Sequence, residues 1–176
     1  MPDNWSRRVM NGDTRQFFGT LNIAQMDAIE ISGVDWAASG WKSYMHLDYP
    51  KFDICRHGGM PNSCDVVIAE QVFEHLPAPS RALRHIYQML RPHGLFLITT
   101  PFLIKVHPTP NDYWRWTVEG MKLMLQEADF KVVNCKSWGN RACVTANFDG
   151  WVPYREGMSL ENEPDLPMVV WAIGQK

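Results

Sequence analysis

This sequence lacks the features of membrane-spanning, secreted and nucleic-acid-binding proteins. Its 176 residues include no apolar run near the roughly 18 residues that a membrane span needs. Near its start, Trp5 is followed by Ser6, Arg7 and Arg8, so the apolar core of a signal peptide is missing. The formal net charge of −2 gives no general attraction for nucleic acid. We therefore expect neither a membrane nor a nucleic acid as a partner.

Cysteine is also scarce. The four cysteines form no C-x-x-C pair, which favours free thiols in a reducing compartment and predicts a cytoplasmic location. Cys55, His57 and Cys64 do not have the spacing of a zinc site. The sequence therefore predicts no bound metal.

Apolar and aromatic residues, by contrast, are plentiful. Hydrophobic residues make up 45% of the chain and eight residues are Trp, which argues against disorder. A length of 176 residues suits one domain with a substantial core. We expect a single domain in which a helical segment, residues 1–26, precedes a core of residues 27–176.

The segment Asp65–Pro101 carries the clearest structural signal. It begins with the apolar run Val66–Ile68, which is typical of a strand buried on both faces. Apolar residues then recur at helical spacing from Ala82 to Leu90, and Pro92 and Gly94 are expected to end that helix. A second buried strand follows at Leu95–Ile98. The segment predicts a strand–helix–strand unit with parallel strands.

Other elements follow the same alternation. Short apolar runs predict further strands at Asp27–Ser32, Ser43–Asp48, Phe52–Cys55, Phe130–Cys135 and Met168–Ile173. Helices are predicted at Thr14–Gln25 and after Thr117, which is a suitable N-cap. Residues 1–12 and Trp138–Trp151 are predicted to be irregular. The pattern indicates an α/β fold with a mostly parallel sheet.

Polar residues stand where the strands of the Asp65–Pro101 unit end. Glu70, Gln71, Glu74 and His75 follow the first strand, and Thr99–Pro101 end the second. Ligands of open parallel sheets bind at the carboxyl ends of the strands. This edge of the sheet is therefore the predicted site.

The run DVVIAEQVFEHL, followed by ALRHIYQMLRPHGLFLITTPF, resembles class I S-adenosylmethionine-dependent methyltransferases. The resemblance is strongest to small-molecule enzymes in which the fifth strand leads into H-x-x-P-x-D-Y-W-R-W/F-T. This chain has that pattern from His107 to Thr117. The resemblance covers roughly residues 27–135 and extends more weakly to the end of the chain.

The resemblance implies a Rossmann-like sheet of seven strands, mostly parallel, with the last strand antiparallel. It also implies S-adenosyl-L-methionine as cofactor and S-adenosyl-L-homocysteine as product. Asp48 would bind both ribose hydroxyls, since a carboxylate accepts two donors at once. The resemblance also implies that the cofactor contacts the turn after the first strand, at Glu30, Ser32 and Gly33. It implies further contacts after the fourth strand, at Glu70 and Gln71.

The N-terminal half departs from the family pattern. The first turn usually reads E-x-G-x-G, but here it is EISGVD, with Ser32 and Val34 at the glycine positions. Only residues 49–51 separate Asp48 from Phe52, which is too short for a helical crossover. We therefore expect a sheet shortened in its N-terminal half, which a homo-oligomer would cover.

The predicted catalytic residues are His107 and His75, because histidine can take a proton from an acceptor near neutral pH. His75 has an alternative interpretation as a helix-terminus residue that hydrogen-bonds the backbone. Residues 112–115 are predicted to bind substrate, although two of them can instead form an ion pair and Trp usually packs. These residues are Asp112, Tyr113, Trp114 and Arg115.

The predicted function is methyl transfer from S-adenosylmethionine to a small-molecule acceptor. The alternative is a methyltransferase-like domain that has lost catalysis and serves as a binding or assembly module. A nicotinamide enzyme would also place an acid after the second strand, but G-x-G-x-x-G is absent. The sequence does not name the acceptor atom.

Overall fold

A six-stranded sheet, in the order β2-β1-β3-β4-β6-β5, organises residues 4–176, which are the residues that the computed structural model describes. Strands β1 to β4 are parallel, and β6 is antiparallel to both β4 and β5. The strands are β1 (Asp27–Ile31), β2 (Ser43–Leu47), β3 (Cys64–Glu70), β4 (Leu90–Pro101), β5 (Lys131–Trp138) and β6 (Val169–Gln175). The mostly parallel sheet and the antiparallel last strand confirm the predicted fold class.

The helices pack on both faces of this sheet. They are α1 (Arg8–Gly19), α2 (Pro79–Met89), α3 (Val118–Glu127) and α4 (Arg141–Ala146). Helix α2 buries Leu83 and Ile86 against the side of the sheet that also carries Phe96. Helix α1 buries Phe18 on the opposite side, against Trp36. Strand β3 therefore lies between two apolar layers, and Val66–Ala69 are wholly buried.

The prediction of seven strands is wrong, because six are present in residues 4–176. The missing strand is the one predicted at Phe52–Cys55, where the structure has turns. The Phe52 amide donates to the Asp48 carbonyl at 2.9 Å, which turns the chain directly after β2. Ile54 and Cys55 are buried in the core beside α2 rather than paired along an edge. Strand β2 is consequently the edge strand.

The N-terminal segment is more ordered than the sequence predicted. Helix α1 spans Arg8–Gly19 rather than Thr14–Gln25, and a 3-10 turn at Trp5–Arg7 precedes it. Trp5 is buried, and its indole N–H donates to the Ser159 carbonyl at 3.0 Å. The predicted irregularity of residues 1–12 is therefore wrong from Asn4 onward, while residues 1–3 lie outside the described residues.

Helix boundaries elsewhere follow local chemistry. Helix α2 ends at Met89, ahead of Pro92, and β4 begins at once. The predicted N-cap is confirmed, since the Thr117 hydroxyl accepts the Gly120 amide at 3.1 Å. The segment Trp138–Trp151, predicted to be irregular, contains the short helix α4, whose Asn140 side chain caps it by accepting the Cys143 amide.

Candidate functional site

A cavity of about 630 Å³ lies beyond the carboxyl ends of the parallel strands. One wall comes from the first turn and the end of β3, at Asp35, Glu70 and Gln71. The opposite wall comes from the N-terminal helical segment and the segment after α4. The lining residues are Asn4, Arg7, Asn11, Arg15, Asp35, Glu70, Gln71, His75, His107, Trp151 and Pro153. The cavity is thus at the predicted edge of the sheet.

The turn after β1 is organised by the Glu30 carboxylate. Glu30 is buried, and it accepts the Asp35 and Trp36 amides at 3.0 Å each and the Tyr44 hydroxyl at 2.6 Å. A Cβ at Gly33 would lie 2.6 Å from Glu30 Oε1, so a side chain here would displace the carboxylate from its donors. Ser32 takes up a positive φ of 54° where the family has glycine. The Glu30 hydrogen bonds therefore define a turn in which Ser32 and Val34 stand at two glycine positions of the family pattern.

Arg15 and Trp36 connect α1 to the first turn and to β3. The Arg15 guanidinium lies 3.5 Å from the centroid of the Trp36 ring and donates to the Asp35 carbonyl at 2.6 Å. The Trp36 indole N–H donates to the Glu70 carboxylate at 3.0 Å. Burial raises the pKa of Glu70 above its usual value. These contacts fix the cavity wall that borders the first turn.

Asp48 stands beside the first turn but outside the walls of the cavity. The Ser32 amide donates to the Leu47 carbonyl at 2.9 Å, which places Asp48 immediately after this contact. Its carboxylate is 3.3 Å from the His46 imidazole and its side chain is 49% exposed. Asp48 is therefore accessible to a ligand that extends from the cavity across the ends of β1 and β2.

Glu74 lies at the edge of the sheet where the sequence predicts the site, although the sequence assigns it no role there. Its side chain is fully buried, and neither carboxylate oxygen has a hydrogen-bond partner within residues 4–176. Burial raises the pKa of Glu74 to about 8. His75 Nε2 lies 3.7 Å from Glu74 Oε1, and the His75 and His107 rings meet edge to face at 4.9 Å. The two predicted catalytic histidines are thus brought together.

The loop that carries His107 is held by an ion pair. Arg115 donates to both carboxylate oxygens of Asp112, and Asp112 also accepts the His107 amide at 3.0 Å. The Arg115 hydrogen bond lowers the pKa of Asp112 to about 2. The ion-pair alternative is therefore confirmed as a contact. Through the His107 amide, the pair fixes one side of the cavity.

Tyr113 and Trp114 are exposed and are not among the cavity-lining residues. The Trp114 indole N–H donates to the Leu76 carbonyl at 2.8 Å, and its ring stacks on Trp116. Their side chains therefore lie outside the cavity that His75 and His107 line. A substrate-binding role for residues 112–115 remains a prediction.

The sequence-based account missed the wall formed by the N-terminal segment. Asn4, Arg7, Asn11 and Arg15 line the cavity and recur at helical spacing, while Met10, Thr14 and Phe18 are buried in α1. This polar face was readable in the sequence as a stripe opposite the buried one.

Comparison with known proteins identifies the family. A family model described as a methyltransferase domain matches residues 19–134. A Mycolicibacterium smegmatis protein, described as a probable S-adenosylmethionine-dependent methyltransferase, is 32% identical over 108 residues, which are 58% of this chain and 41% of that protein. Highly reducing polyketide synthase 40 of Fusarium pseudograminearum is 29% identical over 125 residues, 63% of this chain but 5% of the synthase. The chain therefore spans less than half the length of these curated relatives.

Solved structures agree in fold. An S-adenosylmethionine-dependent methyltransferase from Archaeoglobus fulgidus has a TM-score of 0.64 at 13% identity, with 97% of this chain and 94% of that chain covered. The 1,6-didemethyltoxoflavin-N1-methyltransferase of Burkholderia thailandensis, solved with 1,6-didemethyltoxoflavin and S-adenosylhomocysteine, has a TM-score of 0.62 at 12% identity, with coverages of 99% and 79%. Together with the family model, these matches show that the chain belongs to the class I S-adenosylmethionine-dependent methyltransferase family.

Proposed function

We propose that this chain transfers a methyl group from S-adenosylmethionine to a small-molecule acceptor bound in the same cavity. The observation that carries the proposal is the position of the cavity, whose walls include the first turn after β1 and the residues that end β3. Donor and acceptor would meet near Glu70 and Gln71. Because the sulfonium methyl is already activated, the protein has mainly to align the reacting atoms and exclude water.

The residues at this wall fit the amino-acid end of the cofactor. Arg15 has guanidinium N–H groups beyond those that bind Asp35 and Ser39, so it can also bind a carboxylate. Glu70 and Gln71 offer acceptors for an ammonium group. Glu30 supports the turn from behind, with its carboxylate occupied by the protein's own donors. In this proposal Ser32 and Gly33 provide the backbone of the turn that faces the cofactor.

Asp48 would bind the ribose hydroxyls. It follows β2 directly, and its half-exposed carboxylate contacts the exposed His46. A cofactor lying across the ends of β1 and β2 would extend out of the cavity towards Asp48. Asp48 is therefore the residue whose removal should weaken cofactor binding without disturbing the fold.

The acceptor would occupy the part of the cavity next to the N-terminal segment. A volume of about 630 Å³ is in the range of small-molecule sites. His75, His107 and Trp151 border this part, so the two predicted catalytic histidines lie on the acceptor side. The Burkholderia protein, which is similar in fold, was solved with bound 1,6-didemethyltoxoflavin beside S-adenosylhomocysteine, and this supports a small-molecule acceptor here. A second copy of the chain over β2 and a cytoplasmic location both remain predictions.

Calorimetric titration of the full chain with S-adenosylhomocysteine tests the proposal. We expect binding by the wild type and at least about tenfold weaker binding by Asp48→Ala, since a charge-assisted hydrogen bond contributes about 1.5–3 kcal/mol. Asp165→Ala, which removes an exposed carboxylate far along the chain, is the matched control and should bind like the wild type. A folded wild type that shows no heat and no thermal shift at millimolar cofactor would contradict the proposal.

The binding-module alternative has a specific observation in its favour. Val34 replaces a family glycine and is 57% exposed at the first turn. If the chain had lost the cofactor and kept only a partner, Asp48→Ala would leave that partner's binding unchanged. The titration above separates the two functions, because only a methyltransferase needs the cofactor site.

A further inference from the structure

Three side chains that can act as metal ligands, Glu74, His75 and His107, lie close together at the cavity. The two carboxylate oxygens of Glu74 and the Nε2 atom of His107 are buried and without a hydrogen-bond partner within residues 4–176. Each of Glu74, His75 and His107 offers one ligand atom, and these atoms all lie within 4.8 Å of one another. Buried polar groups are normally paired. Unpartnered atoms on Glu74 and His107, in a cluster that His75 completes, therefore indicate a missing ligand.

The protein fixes both imidazoles in the orientation that a ligand requires. His75 Nδ1 is hydrogen-bonded to the Asn111 carbonyl, so Nδ1 carries the proton and Nε2 presents its lone pair. The His107 backbone is held by Asp112, and its ring packs edge to face against Trp151 at 5.9 Å. A backbone carbonyl on the second nitrogen is the usual support of a metal-binding histidine.

The protein's own cations do not satisfy Glu74. Arg7 lines the same cavity and lowers the pKa of Glu74 through its charge, but it makes no hydrogen bond to either oxygen. The contact to His75 Nε2, at 3.7 Å, is too long for a hydrogen bond. Both oxygens of this buried carboxyl group lack a hydrogen-bond partner, which is costly in a buried site, and a metal cation bound between the three groups would displace the carboxyl proton and supply the missing partner.

We propose that Glu74, His75 and His107 bind one divalent first-row transition-metal ion. Two imidazoles and one carboxylate suit such ions better than Mg²⁺ or Ca²⁺, which prefer oxygen ligands throughout. Three protein ligands leave coordination positions open. His75 and His107 line the cavity, so an open position would face the acceptor. This assignment differs from the sequence-based expectation of no metal, because residues 74–75 and 107 come together only in the fold.

The ion would give the two histidines a common role in acceptor binding, and that part rests on the proposed function. An acceptor oxygen or nitrogen bound to the ion would lose its proton to solvent more readily. Its lone pair would then form the bond to the methyl carbon while the methyl–sulfur bond breaks and S-adenosylhomocysteine leaves. Metal binding itself is independent of the methyl donor. It is therefore measured without S-adenosylmethionine, so its failure and the failure of the proposed function can be told apart.

The test is a titration of the full chain, stripped with EDTA and dialysed, with CoCl₂ followed by visible absorption, and with ZnCl₂ followed by calorimetry. We expect one Co²⁺ per chain, and a Kd raised at least about tenfold in Glu74→Gln and in His107→Ala. His57→Ala removes an exposed histidine outside the cluster and should leave the Kd unchanged. Absence of binding by the wild type, or an unchanged Kd in Glu74→Gln, overturns the proposal.

A loss of binding must be separated from a loss of folding. Glu74→Gln keeps the shape of the side chain, so the variant should unfold cooperatively in EDTA with a Tm near that of the wild type. Saturating Zn²⁺ should then raise the Tm of the wild type and not that of Glu74→Gln. An equal rise in both proteins would place the ion elsewhere and overturn the assignment.

Discussion

Glu30 gives the first turn its shape from within the core. Its two oxygens accept the Asp35 and Trp36 backbone amides and the Tyr44 hydroxyl. The two amides belong to the first turn, and Tyr44 belongs to β2. Burial and the nearby Glu30 carboxylate raise the pKa of Tyr44, so this hydroxyl stays protonated and donates. One carboxylate thus holds in place a turn that lacks two of the family's glycines.

Replacing Glu30 by Gln tests this role. Gln keeps the volume but turns one acceptor into an NH₂ group facing donors, so we expect the free energy of unfolding to fall by about 1–3 kcal/mol. Affinity for S-adenosylhomocysteine should fall as well, because the turn would relax. Urea unfolding and calorimetry measure the two effects. Glu156→Gln, at an exposed position, is the control, and equal behaviour of the two variants would contradict the role of Glu30.

At the scale of elements, Arg91 joins the amino ends of β1 and β3 to the start of β4. Its guanidinium donates to Asp27 at 2.8 Å, to Asp65 at 2.7 Å and to the Ser63 carbonyl at 2.9 Å. A hydrogen bond from Ser43 and then the one from Arg91 lower the pKa of Asp27. The network therefore stabilises the edge of the sheet opposite the site.

Arg91→Met should lower the free energy of unfolding by about 1 kcal/mol at pH 7, since the Arg91 side chain is partly exposed and solvent screens its charge. The folded pKa of Asp27 is lowered, so the stabilisation is present above its ordinary value of 3.8. It is lost as the pH falls through the folded pKa, below 3.8. Urea unfolding at pH 7 and pH 3 measures this, with the exposed Arg81→Met as control. A difference from wild type that is larger at pH 3 would contradict it.

Elements differed in how far the sequence could predict them. The unit β3–α2–β4 was predictable because Val66–Ala69 and Leu95–Ile98 are buried on both faces, which demands continuous apolar runs. Helix α1 was placed too late, because its buried face includes the polar Thr14, whose hydroxyl donates to the Met10 carbonyl. The strand predicted at Phe52–Cys55 was wrong because apolar residues in a buried turn resemble a strand in the sequence.

The candidate site was predictable in place but not in composition. The carboxyl edge of the sheet follows from the order of strands, and the structure puts Glu70, Gln71, His75 and His107 there. The proximity of Glu74 and His107 was not predictable, since it depends on the path of the loop that Asp112 and Arg115 hold. Sequence patterns also assign charged residues such as Glu74 to the surface, because a carboxylate is rarely buried without a partner.

At the scale of the whole molecule, the chain combines a nearly complete C-terminal half of the sheet with a shortened N-terminal half. The N-terminal segment packs against the segment after α4, through Trp5 and the Val152 carbonyl, and residues of both segments line the cavity. Within residues 4–176 no helix has the length and apolar character to cross a membrane. The cavity is therefore lined by parts of the chain that are distant in sequence.

A crystal structure of the chain with S-adenosylhomocysteine would show directly whether the cavity is the cofactor site. We expect electron density for the homocysteine part between the first turn and Glu70, within reach of Arg15. We expect density for the ribose beside the Asp48 carboxylate. The sulfur should point into the cavity towards His75 and His107. Density that lies elsewhere on the protein, or an empty cavity at saturating ligand, would contradict the account.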